Sequence, residues 1–245
     1  MISIAKKELR QFFSSLAGYI TIILFLLVTG FFLFFLKDTN LFDFGYATLD
    51  QFFDIAPWVF LFLIPALSMR TFADEFRTGT SEILLTKPLT NWQIVVGKYF
   101  AVIIVIIITL FPTLLYVYTI HYLAAGGGID NGGIIGSYIG LLFLSGVFAA
   151  ISLWCSSITS NAVVAFLTGA FSCLILYFGF NAISKIPVFS GNADYYLEMA
   201  GIDFHYRSIS RGVIDTRDIL YFISIIFLFL FSTQKILSKN RSYKQ

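Results

Sequence analysis

Charge is scarce in this chain. Only 12% of its 245 residues are Asp, Glu, Lys or Arg, about half the share of an ordinary soluble domain. A soluble fold of this size cannot hide a hydrophobic share of 58%, so lipid is the solvent for much of it. Cysteine is nearly absent. Cys155 and Cys173 both fall in apolar runs, which argues against a disulfide framework and for small buried hydrophobes. Histidine is as rare: His121 and His205 are far apart and form no HExxH pair. GxSxG and CxxC motifs are missing too. Gly97-Lys98-Tyr99 lacks the upstream glycine and the following Ser/Thr of a phosphate loop, so the chain does not bind and hydrolyse ATP by that route. Gly126-Gly127-Gly128 follows no strand and reads as a flexible external turn. The net charge of +2 is too small to suggest a nucleic-acid partner. No residue pattern calls for a metal or a cofactor.

What is present is apolar and aromatic, with 29 phenylalanines in runs such as Phe31-Phe32-Leu33-Phe34-Phe35. A helix needs about 20 apolar residues to cross a bilayer. Six segments qualify: 19–36, 53–69, 99–123, 134–156, 163–183 and 219–237. The second is short and contains Pro57 and Pro65, and Pro112 predicts a bend in the third. The predicted fold class is therefore all-α, a polytopic membrane protein of six spans in one domain, 1–245. The opening MISIAKKELRQFF does not read as a cleavable signal, because a long apolar run follows it with no small-residue cleavage site.

Lysine and arginine set the orientation. With the N-terminus inside, eleven of the sixteen basic residues fall on the inner side: Lys6, Lys7, Arg10, Arg70, Arg77, Lys87, Lys98, Lys235, Lys239, Arg241 and Lys244. This predicts both termini in the cytoplasm. In segment 2–14, Ile2, Ala5, Leu9, Phe12 and Phe13 recur at helical spacing opposite Lys6, Lys7 and Arg10. That describes either an amphipathic helix on the inner membrane surface or a plain extension of the first span.

The segment 70–98 is charged, patterned and held between two spans. It reads as two helical pieces, one around 81–86 and one starting at Thr90. Gln93 three residues after Thr90 gives a capping box, and the residue before Pro88 avoids the helical region. Such a hairpin is stiffer than a solvated connector needs to be. The longest external segment, 184–218, is aromatic and is compatible with an element that dips back into the bilayer where protein covers it. Asp215 or Thr216 is placed to cap the last span. Gly132, Gly136 and Gly140 share one helix face and permit a close helix approach, within the chain or between subunits. The span centres hold almost no ionisable groups, which argues against an ion-coupled carrier or proton channel. If the chain moves cargo, the energy enters from outside, and 70–98 is the port.

The same segment carries a resemblance. Asp74-Glu75, Arg77, Gly79-Thr80, Glu82-Ile83-Leu84-Leu85-Thr86, Pro88, Trp92-Gln93-Ile94-Val95 and Gly97-Lys98 follow one another as in ABC-2-type transporter permeases. The segment 203–222, DFHYRSISRGVIDTRDILYF, and the opening KKELRQFFSSLAGYI are most similar to the gliding-motility-associated members found in Bacteroidota. The resemblance implies a six-helix permease half of the type V exporter kind in the inner membrane. It implies pairing with a second, identical or related, permease half. It also implies a separate ABC ATPase subunit that binds the ATP and docks on the coupling helix. By position, Asp74, Glu75, Arg77, Thr80, Glu82 and Leu84 would lie at that contact. Cargo-reading residues have no match here. Two functions stay open: export of an amphipathic substrate, or ATP-driven gating of an envelope machine with no cargo of its own.

Overall fold

The computed structural model describes residues 1–36, 48–80, 90–124, 130–186, 192–213 and 215–242. Among them all regular structure is helical. Helix α1 (Ile2–Ser14) is followed by α2 (Leu16–Phe34), α3 (Asp50–Ser68) and α4 (Arg70–Thr78). Next come α5 (Asn91–Leu110), a 3₁₀ turn (Phe111–Thr113), α6 (Leu114–Leu123) and α7 (Asn131–Ile158). Then α8 (Ala162–Leu174) runs through a π-helical turn (Ile175–Gly179) into α9 (Phe180–Ser184). Two short helices, α10 (Asn192–Met199) and α11 (Ile202–Ser210), precede the last helix, α12 (Thr216–Ser242).

Among the described residues, five stretches are long and apolar enough to span a membrane alone: Asp50–Thr78, Asn91–Tyr122, Asn131–Ile158, Ala162–Ser184 and Thr216–Lys239. The sixth expected span is α2, which completes the count only as a pair with α1, across a bend of 67°. The second span departs from the reading of the sequence. Pro57 and Pro65 sit inside α3 without ending it, and the helix runs on through α4 to make 29 residues. Packed neighbours in a bundle tolerate the lost proline amides. The charged stretch 70–78, read as loop, is thus helical. It buries Thr71, Phe72 and Ala73 and pairs Asp74 with Arg77 one turn on. The proposed first hairpin piece, 81–86, lies outside the described residues.

Local chemistry sets the other boundaries as expected. Thr90 Oγ1 accepts from Gln93 N and Gln93 Oε1 accepts from Thr90 N, both at 3.2 Å, so α5 begins with the reciprocal box. Thr90→Ala removes half of it and is expected to cost about 1 kcal/mol, read as faster amide exchange at Gln93. Pro112 interrupts the third span with the 3₁₀ turn. Asp215 Oδ1 accepts from Arg217 N at 3.0 Å at the start of α12.

α7 is the central post, packed by α3, α8, α11 and α12. Leu144, Phe148 and Ile151 on α7 and Phe52 and Phe60 on α3 are fully buried, and Phe25 of α2 stacks on Phe60 with ring centroids 4.6 Å apart. Several buried hydroxyls bond back within their own helix, as Ser152 Oγ donates to Phe148 O at 2.6 Å. The outer faces are apolar as well. Leu27 of α2, Leu167 and Phe171 of α8, and Ile223 and Phe227 of α12 are exposed, the pattern of a surface solvated by lipid.

α1 packs differently from its helical wheel. Its buried face is Ile4, Glu8 and Phe12, and Ile2 is exposed. A glutamate replaces an apolar residue on the inward stripe because a cation waits for it below.

Candidate functional site

A cluster of paired charges lies at the end of the bundle where α1, α4 and the start of α5 meet. Lys98 stands on the inner face of α5 and is fully buried. Its Nζ lies 3.1 Å from Glu8 Oε1, 2.9 Å from Glu75 Oε1 and 2.7 Å from the carbonyl oxygen of Thr71. All three ammonium donors therefore have acceptors. The same ammonium sits 4.8 Å above the Phe72 ring, a favourable site for a cation. Lys7 Nζ closes the cluster at 3.1 Å from Glu75 and 3.4 Å from Glu8. Two cations face two carboxylates, so the junction is neutral. Burial works against the charge on Lys7, but Glu75 and Glu8 together outweigh it and hold its pKa above the ordinary lysine value.

Gly97 permits this approach. A Cβ there would lie 3.0 Å from both Ile4 Cβ and Met1 O, so any other residue would press α1 a few tenths of an ångström away from α5. The Gly97-Lys98 dipeptide thus has two linked roles: the glycine seats α1, and the lysine bonds its glutamate. Removing one partner of a buried ion pair leaves an uncompensated charge, which makes α1, α4 and α5 one body at this end.

The residues expected at a partner contact divide on the structure. Arg77 and Thr80 are exposed, and Asp74 is half-buried with its carboxylate 3.3 Å from Arg77 Nη2. Glu75 turns inward to Lys98 and Lys7. Glu82 and Leu84 lie outside the described residues. α4 ends at Gly79, in the left-handed conformation with φ +72°, as helices ended by glycine commonly do. Sequence reasoning missed Glu8 and the reach of Lys98. The signal was there: Glu8 lies four residues from both Ile4 and Phe12 on one stripe, and Lys98 interrupts an apolar run.

The opposite end of the bundle is organised around α11. Gly136 and Gly140 of α7 face Ile209 and Tyr206 of α11 in the same chain, and Gly132 backs onto Gly212. Ser137 Oγ donates to Ser210 O at 2.9 Å, and Tyr206 Oη donates to Phe53 O at 2.7 Å. His205 Nδ1 lies 2.6 Å from Asp218 Oδ1 and its Nε2 2.9 Å from Met199 O. These bonds tie α11 to α3, α7, α10 and α12. Among the described residues no group of three His, Cys, Asp or Glu could hold a metal ion.

Residues 2–241 match the family described as ABC-2 family transporter protein. The chain belongs to the ABC-2 transporter family. No curated protein matches it. The match spans nearly the whole helical bundle, from α1 to the end of α12. An ABC-2 chain is the membrane-embedded permease of an ABC transporter, and membership implies an ABC ATPase as partner. Such a permease is a transport component, and the family's members are typically not catalytic themselves.

Proposed function

We propose that this ABC-2 permease is one half of an exporter in the inner membrane, with both termini in the cytoplasm, driven by ATP hydrolysis in a separate subunit that docks on α4 and the segment after it. The observation that carries this reading is the Lys98–Glu8–Glu75 cluster. It binds α4 to α1 and α5 through charges that cannot be separated cheaply, so a push on the exposed side of α4 moves three elements together. Arg77 and Thr80 form that outer side, with Asp74 at its edge. The second half is another copy or a related subunit. By its resemblance in 203–222 and at the N-terminus, the chain is a gliding-motility permease of the GldF type.

An amphipathic substrate suits the walls. A groove of 650 Å³ between α2 and α3 is lined by Leu24, Val28, Phe32, Trp58, Phe62 and Phe166. It shares Leu24, Leu63 and Ala66 with a hollow of 480 Å³ that reaches Gln11, Arg70 and Thr71. A polar head and an apolar tail would each find a matching end. ATPase stimulation of the reconstituted complex by hydrophilic solutes only would overturn this part.

Docking is tested by charge reversal. Asp74→Lys with Arg77→Glu, which inverts the outer pair, is expected to reduce copurification of the ATPase at least tenfold while membrane insertion stays normal. Undiminished copurification places the contact elsewhere. Thiol labelling of Thr80→Cys from the cytoplasmic side only is the expected topology, and labelling from the other side sinks the proposal.

A further inference from the structure

The joint between α3 and α4 is capped from another helix. α4 has no side-chain cap from its own Ncap residue. The hydroxyl of Ser156, on α7, accepts from Phe72 N at 3.1 Å and from Ala73 N at 3.2 Å, and it donates to Met69 O at 2.8 Å. A hydroxyl has one proton and two lone pairs, and here all three are engaged. Ser156 is fully buried, so water does not compete for these groups. Other serines of α7 behave differently. Ser145, Ser152 and Ser157 bond back to carbonyls of their own helix. Ser137 and Ser156 reach across to another element, and they stand toward opposite ends of α7, about 28 Å apart at the helical rise.

We infer that Ser156 is a positioning residue that locks α4 to α7, so that displacement of α4 passes along α7 to α11 instead of being absorbed at the α3–α4 joint. The inference rests on the reading of α4 as the end on which the ATPase acts. A break between two helices is a natural hinge. Three hydrogen bonds from one buried hydroxyl close this one onto the central helix. α7 is suited to transmission, because most of its residues are buried inside the bundle. At its far end Ser137 holds Ser210 O, and Gly136 abuts the Ile209 carbonyl. A shift of α7 therefore meets α11 at backbone atoms, which cannot yield by changing rotamer.

The test uses the full chain in lipid nanodiscs with its ATPase subunit, carrying a bimane fluorophore on Val213→Cys, an exposed position just after α11. Native Cys155 and Cys173 are buried and do not compete for label. In the unaltered protein, ATP with vanadate is expected to shift bimane emission. Ser156→Ala is expected to keep ATP turnover within about twofold, lose at least four-fifths of that shift, and speed amide exchange at Phe72 and Ala73 at least tenfold. Ser156→Thr, which keeps the hydroxyl, restores both. Ser137→Ala is expected to lose the shift with exchange at Phe72 unchanged, a pattern that local destabilisation of the joint does not produce. A full emission shift in Ser156→Ala or Ser137→Ala overturns the inference, as does unchanged exchange at Phe72 in Ser156→Ala. Absence of any associated ATPase overturns instead the reading beneath it. The exchange arm needs no partner and still decides whether Ser156 holds the joint.

Discussion

Lys98→Met is expected to destabilise the permease by about 3–5 kcal/mol, the usual cost of removing one partner from a buried ion pair. Methionine keeps the length and the apolar stem but takes away the only fully buried member of the cluster. Glu8 and Glu75 would then share Lys7, whose side chain is half in solvent. The Thr71 carbonyl would lose its ammonium donor and the Phe72 ring its cation. Thermal or denaturant unfolding in mild detergent measures the loss. Glu8→Gln added to Lys98→Met should recover part of it, because Lys7 and Glu75 then match one to one. That coupling is expected to be on the order of 1–3 kcal/mol, within the range for residues in one ionic network. Losses that simply add would show that the charges are not acting on each other.

Gly136→Val is expected to expel α11 from its seat. A Cβ at 136 would stand 2.6 Å from Ile209 O and 2.8 Å from Gly212 Cα. Both are backbone atoms, so no rotamer change relieves the overlap. Overpacking costs about 1–3 kcal/mol, and here the helix can escape by leaving. Its departure would break Ser137–Ser210 and Tyr206–Phe53 together. Trypsin added to the face bearing α11 should then cut at Arg207 or Arg211, both exposed, at least tenfold faster than in the parent. Gly140→Ala is the control. Its new Cβ meets only side-chain atoms, at 3.3–3.5 Å, and is expected to cost under about 1 kcal/mol. Equal cleavage of the two variants would show that the glycine face does not hold α11.

Much of this architecture was legible before any coordinates. The helical class and the five stand-alone spans follow from the lengths of apolar runs, whereas the 67° bend that joins the first span to α1 does not. Pro112, Thr90–Gln93 and Asp215 mark their boundaries by backbone chemistry that acts within a few residues. The errors are of one kind. The stretch 70–78 looked like loop because its charges suggested solvent, yet Thr71, Phe72 and Ala73 are buried against the bundle and Glu75 turns to Lys98. Of the apolar face expected on α1, Phe12 is buried and Leu9 and Phe13 pack against the core, but Ile2 is exposed and the inward stripe runs through Ile4 and Glu8. Of the candidate contact residues, Arg77 and Thr80 face outward and Glu75 does not, and no periodicity in 70–80 separates them.

The sequence alone determined that this chain lives in lipid, which apolar runs are long enough to cross it, and where Thr90, Pro112 and Asp215 mark helix boundaries. Those properties are local sums over neighbouring residues. Tertiary structure alone decided which helix faces meet protein and which meet lipid, that Glu8 closes on a lysine ninety residues away, and that Ser156 caps a helix not its own. In an apolar solvent nearly every face of a span is apolar, so hydrophobic pattern no longer tells inside from outside. Close packing and the pairing of the few buried polar groups make that choice, and both are properties of the assembled bundle.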